Sequence, residues 1–345
     1  MKIISNKREG NKAFIEAEEA YSQFEAAVEN AYVDAGKDVR LPGFRPGKAP
    51  KKMIEQALSR EAIEHHAAQN LVSDLYPKII ETEKLQPVDY PSVEIVQQEA
   101  GKPFIFKLTV ELYPEVKLGK YKGLKVEKKT TEVPDEEIIK VLGNIQERFS
   151  PLNAEGKKDL LPLDDEFAKK VSKFGSLAEL KEEIRGTMAK EKQAEAEADL
   201  KNQLVAAASS ETKVDIPEAM VRREIDIMFD ELKTSLAQSG LAVEDYLKGT
   251  KKEEKELREE MKKSAEIRVK GKIVLKAVAD AEKIEVTPEE MQAELRLMAE
   301  SVGEELEPFT QKVGEGTKEY IADYLIRRKA LDFLAEKAEV KEAKS

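Results

Sequence analysis

The spacing of hydrophobic residues divides the chain into an N-terminal part that mixes strands with helices and a longer part that is helical. Residues 2–8 and 12–18 flank the turn-forming residues 9–11 and predict an antiparallel hairpin. Residues 103–113 alternate most strictly, which predicts a strand with one apolar face. The residues of that face are Phe104, Phe106, Leu108, Val110 and Leu112.

Two helices are predicted between the hairpin and this strand, because apolar residues recur there at intervals of three and four. The first is expected to end at Gly36, since glycine is favoured just after a helix. Residues 41–50, between the helices, are rich in proline and glycine and predict a loop. The inward-facing residues are Tyr21, Phe24, Val28 and Ala31 in the first helix and Ile63, Ala67, Leu71 and Leu75 in the second. This combination is typical of an α+β domain.

A linker follows the N-terminal part. Residues 123–129 are expected to be extended, and Pro134 with the acidic residues after it opens a helix. The chain is therefore predicted to contain an α+β domain over 1–113, a linker with its helix over 114–162, and an elongated all-α domain with helical arms over 163–345.

The C-terminal part shows helical spacing throughout, and no segment of it predicts a strand. Several of its helix starts carry residues that stabilise a first turn. These starts are Ser176, Pro217 and Thr287. The segment over about 251–283 is highly charged and predicts a solvated helix, and the polar tail from Lys337 is expected to fray.

Composition and charge narrow the possible functions. Charged residues make up 37% of the chain and aromatic residues 6%, which suits solvated helices with narrow apolar stripes. The net charge is −11, so the chain as a whole is not a DNA-binding or general nucleic-acid-binding protein. The sequence shows no signal peptide and no transmembrane run, and we expect a cytoplasmic protein without a membrane partner.

No catalytic, metal or cofactor site is predicted. Cysteine is absent, which excludes disulfides, thiolate catalysis and cysteine-bound metal. The two histidines, His65 and His66, are adjacent and would point to different helix faces, so they do not form a metal-binding pair. The glycine motifs that bind nucleotide phosphates are also missing.

One loop contrasts with the acidic chain. Residues 37–52 contain six basic residues and one aspartate. A structural loop with solvated lysines is one interpretation, but Phe44 would place an aromatic ring at the tip of this stiff loop. A cationic loop with an exposed ring predicts binding to RNA phosphates and to an acidic protein surface. The loop reads Gly43-Phe44-Arg45-Pro46-Gly47-Lys48-Ala49-Pro50, with Arg40, Lys51 and Lys52 beside it.

This loop resembles the G-F-R-x-G-x-x-P ribosome-docking signature of the bacterial trigger factor family. The order of predicted elements over 1–113 and the segments 112–116, 163–169 and 214–217 are also similar to that family. The resemblance implies an ATP-independent chaperone at the peptide exit of the large ribosomal subunit. The loop residues named above would then dock on ribosomal protein and RNA, and the helical part would form a cradle for nascent and unfolded polypeptides.

The usual isomerase domain of the family has no predicted counterpart. Trigger factors carry an FKBP-type peptidyl-prolyl isomerase domain between the linker helix and the helical domain, and such a domain needs about 100 residues. Here residues 150–162 lie between these parts, and none of them is aromatic. We therefore expect no FKBP-like barrel and no isomerase activity.

Apolar side chains on the helices are the candidate contacts for client polypeptides. Methionine and aromatic side chains adapt to varied partners, although a stripe at helical spacing is also typical of a packed core. Both interpretations stay open for each residue, and exposed apolar arms also predict self-association away from the ribosome. The candidates are Met220, Met228, Phe229, Leu232, Leu236, Met291, Leu295, Met298, Phe309, Tyr320 and Tyr324.

Other functions remain open at this level. A peptidyl-prolyl cis-trans isomerase would need a barrel with an aromatic pocket. A ribosome or RNA assembly factor could use the same basic loop, and it would bind RNA without delaying the aggregation of a client. A periplasmic relative with a similar helical body is disfavoured by the missing signal peptide.

Overall fold

The computed structural model describes residues 1–38, 44, 50–152 and 158–343. Strands and helices are mixed up to residue 128, and nine helices and one short strand follow within the described residues. In chain order the elements are β1 (Lys2–Glu9), β2 (Lys12–Glu19), α1 (Tyr21–Asp38), α2 (Lys51–Ala57), α3 (Arg60–Glu83), β3 (Ser92–Gln97), β4 (Phe104–Glu111), β5 (Lys125–Lys128), α4 (Asp135–Phe149), α5 (Asp165–Val171), α6 (Leu177–Glu211), α7 (Glu218–Gln238), α8 (Val243–Thr250), α9 (Glu254–Glu282), α10 (Pro288–Ser301), α11 (Leu306–Lys312), α12 (Glu315–Glu336) and β6 (Glu339–Glu342).

The first four strands form an antiparallel sheet in the order β1-β2-β4-β3. Ile15 of β2 lies opposite Asn6 of β1 and Leu108 of β4. Alternate residues of β2 and β4 are buried in one core with residues of α1 and α3, because these helices cover one face of the sheet. Phe24 of α1 stacks on Phe104 with 4.8 Å between the ring centroids. The predicted hairpin and the one-sided strand are confirmed.

The chain divides into two units, each made of two separate segments. The first unit contains Met1–Lys117 and Val214–Lys270, and the second contains Leu118–Lys213 and Gly271–Ser345. The sheet and helices α1 to α3 therefore share their unit with α7, α8 and the first part of α9.

The beginning of α7 is attached to the sheet of the first unit. The backbone N–H of Ala219 donates to Glu111 Oε2 at 2.8 Å, and Asn11 Nδ2 donates to the carbonyl oxygen of Asp215 at 2.6 Å. These bonds satisfy polar groups at a helix start and at a hairpin turn, where the backbone lacks ladder partners. A segment distant in sequence thus completes the N-terminal unit.

The second unit is built around α6, which is one continuous helix. Its main core joins α6 to β5, α9 and α12 through Leu204, Val126, Val274 and Leu334. The strands β5 and β6 pair in parallel over this core. Gly119 is required here, because an added Cβ would lie 2.0 Å from the carbonyl oxygen of Glu211.

The structure differs from the sequence prediction at β6. The segment from Lys337 was expected to fray and the helical part to contain no strand, yet Glu339–Glu342 pairs with β5. That prediction was wrong because the strand that pairs with this segment lies more than 200 residues earlier in the chain. The residue pattern within one segment does not show which distant segment it will pair with.

Other differences lie in short or weakly patterned segments. The helix α1 continues past Gly36 to Asp38, since an internal glycine costs only about 1 kcal/mol. The strand β3 and the short helices α2, α8 and α11 were not predicted. No described helix is long and apolar enough to cross a membrane. No cluster of metal-ligating side chains occurs in the part of the chain that the structure describes.

Candidate functional site

The basic loop connects α1 with α2 in the first unit. Arg40, Gly43, Arg45, Pro46, Gly47 and Lys48 lie outside the described residues. Phe44 is described, and its side chain is 40% exposed. Pro50, Lys51 and Lys52 are also exposed, and Pro50 directly precedes the first turn of α2. The described residues of the predicted docking motif are therefore all accessible to a partner.

The helix α2 is held against α1 at the base of this loop. Lys51 forms an ion pair with Glu29, and its Nζ lies 5.3 Å from the centroid of the Tyr32 ring. The Tyr32 hydroxyl donates a hydrogen bond to Glu55 Oε1 at 2.5 Å, and Ile54 is buried in the core. Lys51, which was predicted as a docking cation, thus also has a structural role, because its ion pair with Glu29 joins α2 to α1.

Burial of the Tyr32 hydroxyl and its hydrogen bond to Glu55 raise the pKa of Tyr32 to about 12. The protonated phenol is therefore the form that the folded protein stabilises. Since the ordinary pKa of 10.0 applies to the unfolded chain, this contribution is complete below pH 10 and is lost as the pH rises towards about 12.

Replacing Tyr32 by phenylalanine is expected to lower the free energy of unfolding by about 1 kcal/mol at neutral pH, because the bond to Glu55 is lost. The difference from the parent should disappear as the parent is titrated from pH 10 towards 12. Urea unfolding across this range measures both effects. Tyr90→Phe removes the hydroxyl of an exposed ring and should change neither. A constant difference at every pH would contradict the prediction.

The candidate client contacts differ in exposure. Tyr320 and Tyr324 of α12 are exposed. Phe229 of α7 and Leu295 of α10 are buried, so neither side chain is available to a client in this conformation. The other candidates are half-buried, and they are Met220, Met228, Leu232, Leu236, Met291, Met298 and Phe309.

Phe229 is buried between two cations of the first unit. Lys233 Nζ lies 4.6 Å from its ring centroid, and the guanidinium carbon of Arg258 lies 4.5 Å from it. Arg258 is held in turn by Asp226 at 2.6 Å and by Glu254 at 2.7 Å. Cations over a desolvated ring stabilise such an arrangement. Phe229 therefore links α7 with α9, which is a structural role.

A small core of the second unit accounts for several other candidates. It consists of Leu295, Ile321 and Leu325, which are buried. Part of each surrounding side chain packs against this core and part is accessible, which explains their intermediate exposure. The candidates in this position are Met291, Met298 and Phe309.

Three exposed apolar side chains lie on the two helices that form this core, Leu297 on α10 and Tyr320 and Tyr324 on α12, and we call them the α10–α12 surface. Leu297 is 59% and Tyr320 66% exposed. Arg328 pairs with Glu294 at 3.0 Å and lies 5.6 Å from the centroid of the Tyr324 ring. Tyr324 is one turn from Arg328 and Leu297 is nearly one turn from Glu294, so each of these two apolar side chains lies within about one turn of a residue of this ion pair.

Leu297 was not among the sequence candidates. The candidates on α10 were chosen for their spacing along one stripe, and that stripe is the face that packs. The sequence did contain a signal for the exposure of Leu297. This large apolar residue lies outside the packing stripe, between Arg296 and the stripe residue Met298.

Two family models match the chain. Residues 1–145 match the model for the bacterial trigger factor protein, and residues 176–336 match the model for the C-terminus of that protein. The chain belongs to the trigger factor family. Together the matches include the sheet, the basic loop and the α10–α12 surface.

Bacterial trigger factors align with nearly the whole chain. The trigger factor of Desulforamulus reducens is 30% identical over 430 residues, covering 99% of this chain and 99% of the relative. That of Bacillus licheniformis is 32% identical over 426 residues, covering 97% and 100%. A solved structure described as "Promiscuous Substrate Recognition in Folding and Assembly Activities of the Trigger Factor Chaperone" has a similar fold, with a TM-score of 0.56 at 19% identity over 97% of this chain and 99% of that one.

The alignments with these relatives are longer than the chain. The alignment of 430 residues with the Desulforamulus protein is 85 positions longer than this chain of 345. Between the two family models, residues 146–175 are unmatched, and this segment is shorter than a domain. Among the described residues of this region no barrel occurs, as predicted, and α4, α5 and α6 pack directly on one another through Ile138, Phe167 and Leu180.

Proposed function

We propose that this member of the trigger factor family is an ATP-independent chaperone that docks beside the polypeptide exit of the large ribosomal subunit and shields nascent or unfolded chains. The observation that carries the proposal is the basic loop with its exposed Phe44 within the family's N-terminal domain. The docking residues are Gly43, Phe44, Arg45, Pro46, Gly47, Lys48 and Pro50, with Arg40, Lys51 and Lys52 adding charge.

The physical basis of docking is a local charge opposite to that of the whole molecule. Cations of the loop would replace counterions on ribosomal RNA, while the acidic remainder of the chain disfavours binding elsewhere along RNA. The exposed ring of Phe44 would bury apolar area on ribosomal protein. A salt-dependent electrostatic contribution and a salt-independent apolar contribution are therefore both expected.

Client binding is proposed for the α10–α12 surface and for the half-buried methionines. Exposed apolar residues spread among charges bind many sequences weakly, and weak binding allows release without nucleotide hydrolysis. The aromatic rings of Tyr320 and Tyr324 provide the largest accessible apolar contacts among the candidates. Prolyl isomerisation is not proposed, since its usual domain has no counterpart in the described structure.

Replacing Leu297 and Tyr320 by serine is expected to weaken protection of an unfolded client. Each side chain would lose about 1 kcal/mol of apolar contact, so roughly thirtyfold more chaperone should be needed for half-maximal suppression of aggregation. Light scattering of a chemically unfolded test enzyme diluted without ATP measures this.

The matched control replaces Leu152 and Tyr90 by serine. These side chains are 64% and 92% exposed, and they lie outside the α10–α12 surface. The control should protect the client as well as the parent does. An equal loss of aggregation suppression in both variants would show that any exposed apolar side chain contributes to client binding, whatever its position. This would contradict the assignment of client binding to the α10–α12 surface.

A further inference from the structure

The two outer edges of the β5–β6 sheet differ. In a parallel pair, every second residue of each strand turns its N–H and C=O groups towards its partner, and the residues between them turn these groups outward. The N–H of Glu339 donates to Leu124 O at 2.8 Å, and the N–H of Ala343 donates to Lys128 O at 2.9 Å. Residues 339, 341 and 343 of this segment therefore face β5.

The outer edge of β5 is closed by a side chain of α6. Gln203 Oε1 accepts from the N–H of Glu127 at 3.0 Å, and Gln203 Nε2 donates to the C=O of Glu127 at 2.8 Å. Gln203 Nε2 also donates to Asp199 at 2.7 Å, which fixes the orientation of the amide. A primary amide has the same donor and acceptor as a peptide group, so Gln203 takes the place of a neighbouring strand.

The outer edge of β6 has no such cover. Val340 and Glu342 turn their N–H and C=O groups away from β5, and among the described residues none hydrogen-bonds to these groups. All four residues of β6 are exposed. An uncovered strand edge offers donors and acceptors at the spacing of an extended polypeptide backbone.

Side chains next to this edge favour an apolar residue in the added strand. Val340 lies opposite Val126, which is buried in the main core of the second unit, while Val340 itself is 43% exposed. A third strand would place one of its side chains beside Val340 on the same face of the sheet. That side chain would extend the apolar cover over the core.

We propose that the outer edge of β6 binds an extended segment of client polypeptide by strand addition. The inference rests on the proposed chaperone function and adds a backbone-directed site to it. Every unfolded polypeptide carries the same backbone groups, so such a site recognises clients of any sequence with a preference for an apolar residue opposite Val340.

The size of the edge favours a client over a second copy of the chain. Two outward-facing residues provide at most four backbone hydrogen bonds, and one four-residue strand buries much less than the roughly 1,200 Å² of a stable protein interface. An unfolded client that also contacts other surfaces of the chaperone needs only a weak, reversible contribution from this edge.

The test compares two proline variants. Val340→Pro removes one outward N–H and keeps the inward bonds of β6, because proline is tolerated on a strand edge where its nitrogen faces solvent. Lys125→Pro is the matched control, since Lys125 also faces outward, on the opposite edge of the same sheet. Amide exchange of Lys341 reports whether the β5–β6 pairing remains intact in each variant.

The probe is a fluorescein-labelled ten-residue peptide of alternating valine and threonine, with an analogue that is N-methylated at every residue so that neither of its edges can donate. Fluorescence anisotropy should show Val340→Pro binding the plain probe about fivefold more weakly than the parent, which corresponds to one lost hydrogen bond. Lys125→Pro should bind it like the parent. The methylated analogue should bind the parent weakly, and the plain probe should slow amide exchange at Val340 and Glu342 in the parent.

Distinct results would separate failure of this inference from failure of the proposed function. If the parent suppresses client aggregation but Val340→Pro binds the probe as tightly as the parent, strand addition is wrong and the chaperone function stands. If the parent neither binds the probe nor suppresses aggregation, both are wrong. If Val340→Pro instead converts a dimer to a monomer in sedimentation without changing probe binding, the edge pairs with a second copy and the inference is overturned.

Discussion

Replacing Phe44, Arg45 and Lys48 together by alanine is expected to abolish co-sedimentation with ribosomes. An aromatic ring and an arginine at the centre of an interface commonly contribute more than about 1 kcal/mol each, and the lost cations remove attraction to phosphate. The combined change should weaken binding by about a hundredfold or more. Pelleting of 70S ribosomes through a sucrose cushion over a range of salt concentrations measures this, and the residual binding should depend less on salt.

A control with the same residue types distinguishes docking from a general change of charge. Lys140, Arg148 and Phe149 lie on α4 and are exposed, and Phe149 is 44% exposed compared with 40% for Phe44. Replacing these three residues by alanine changes the net charge equally and should leave pelleting unchanged. If the loop variant still pellets with ribosomes like the parent, the loop is not the docking site.

Gly119→Ala is expected to destabilise the second unit strongly. The added Cβ would lie 2.0 Å from the carbonyl oxygen of Glu211 and 2.7 Å from its carbonyl carbon, and these are backbone atoms that cannot rotate away. Such overpacking should cost about 3 kcal/mol, since the segment before β5 must move away from the end of α6. Urea unfolding followed by circular dichroism measures the loss.

Glycines with no atom near the position of an added Cβ are expected to behave oppositely, because their replacement by alanine should stabilise the protein. An added Cβ at Gly143 of α4 or Gly186 of α6 would meet nothing within 4 Å. Alanine at either helical position should increase the free energy of unfolding by about 1 kcal/mol, because alanine has the higher helix propensity. A Gly119→Ala variant as stable as these would show that the segment around Gly119 does not need its close approach to α6.

Patterns within a single segment were sufficient for several elements. The alternation from Phe104 to Leu112 predicts both the strand β4 and its buried face, because a strand that covers a core must place every second side chain inward. The capping box at Thr287 is also confirmed, with the Thr287 hydroxyl accepting from the N–H of Glu290 and the Glu290 carboxylate accepting from the N–H of Thr287. These features depend only on near neighbours in the chain.

The roles of individual apolar residues on the helices could not be predicted in this way. Phe229 and Tyr320 were equal candidates in sequence, but Phe229 is buried between Lys233 and Arg258 while Tyr320 is exposed. Helical spacing identifies a stripe, yet it does not say whether another helix covers that stripe. The exposure of Leu297 likewise depends on how α10 packs against its neighbours.

The sequence by itself determined the α+β character of the N-terminal region, the helical character of most of the remainder and the composition of the basic loop, because these follow from local spacing and residue type. Only the tertiary structure decided that β6 pairs with β5, that Gln203 closes one edge of that pair and that Val340 borders the open edge. Such contacts join residues far apart in the chain. They depend on how distant segments pack together, and the residue pattern within each segment does not predict that packing.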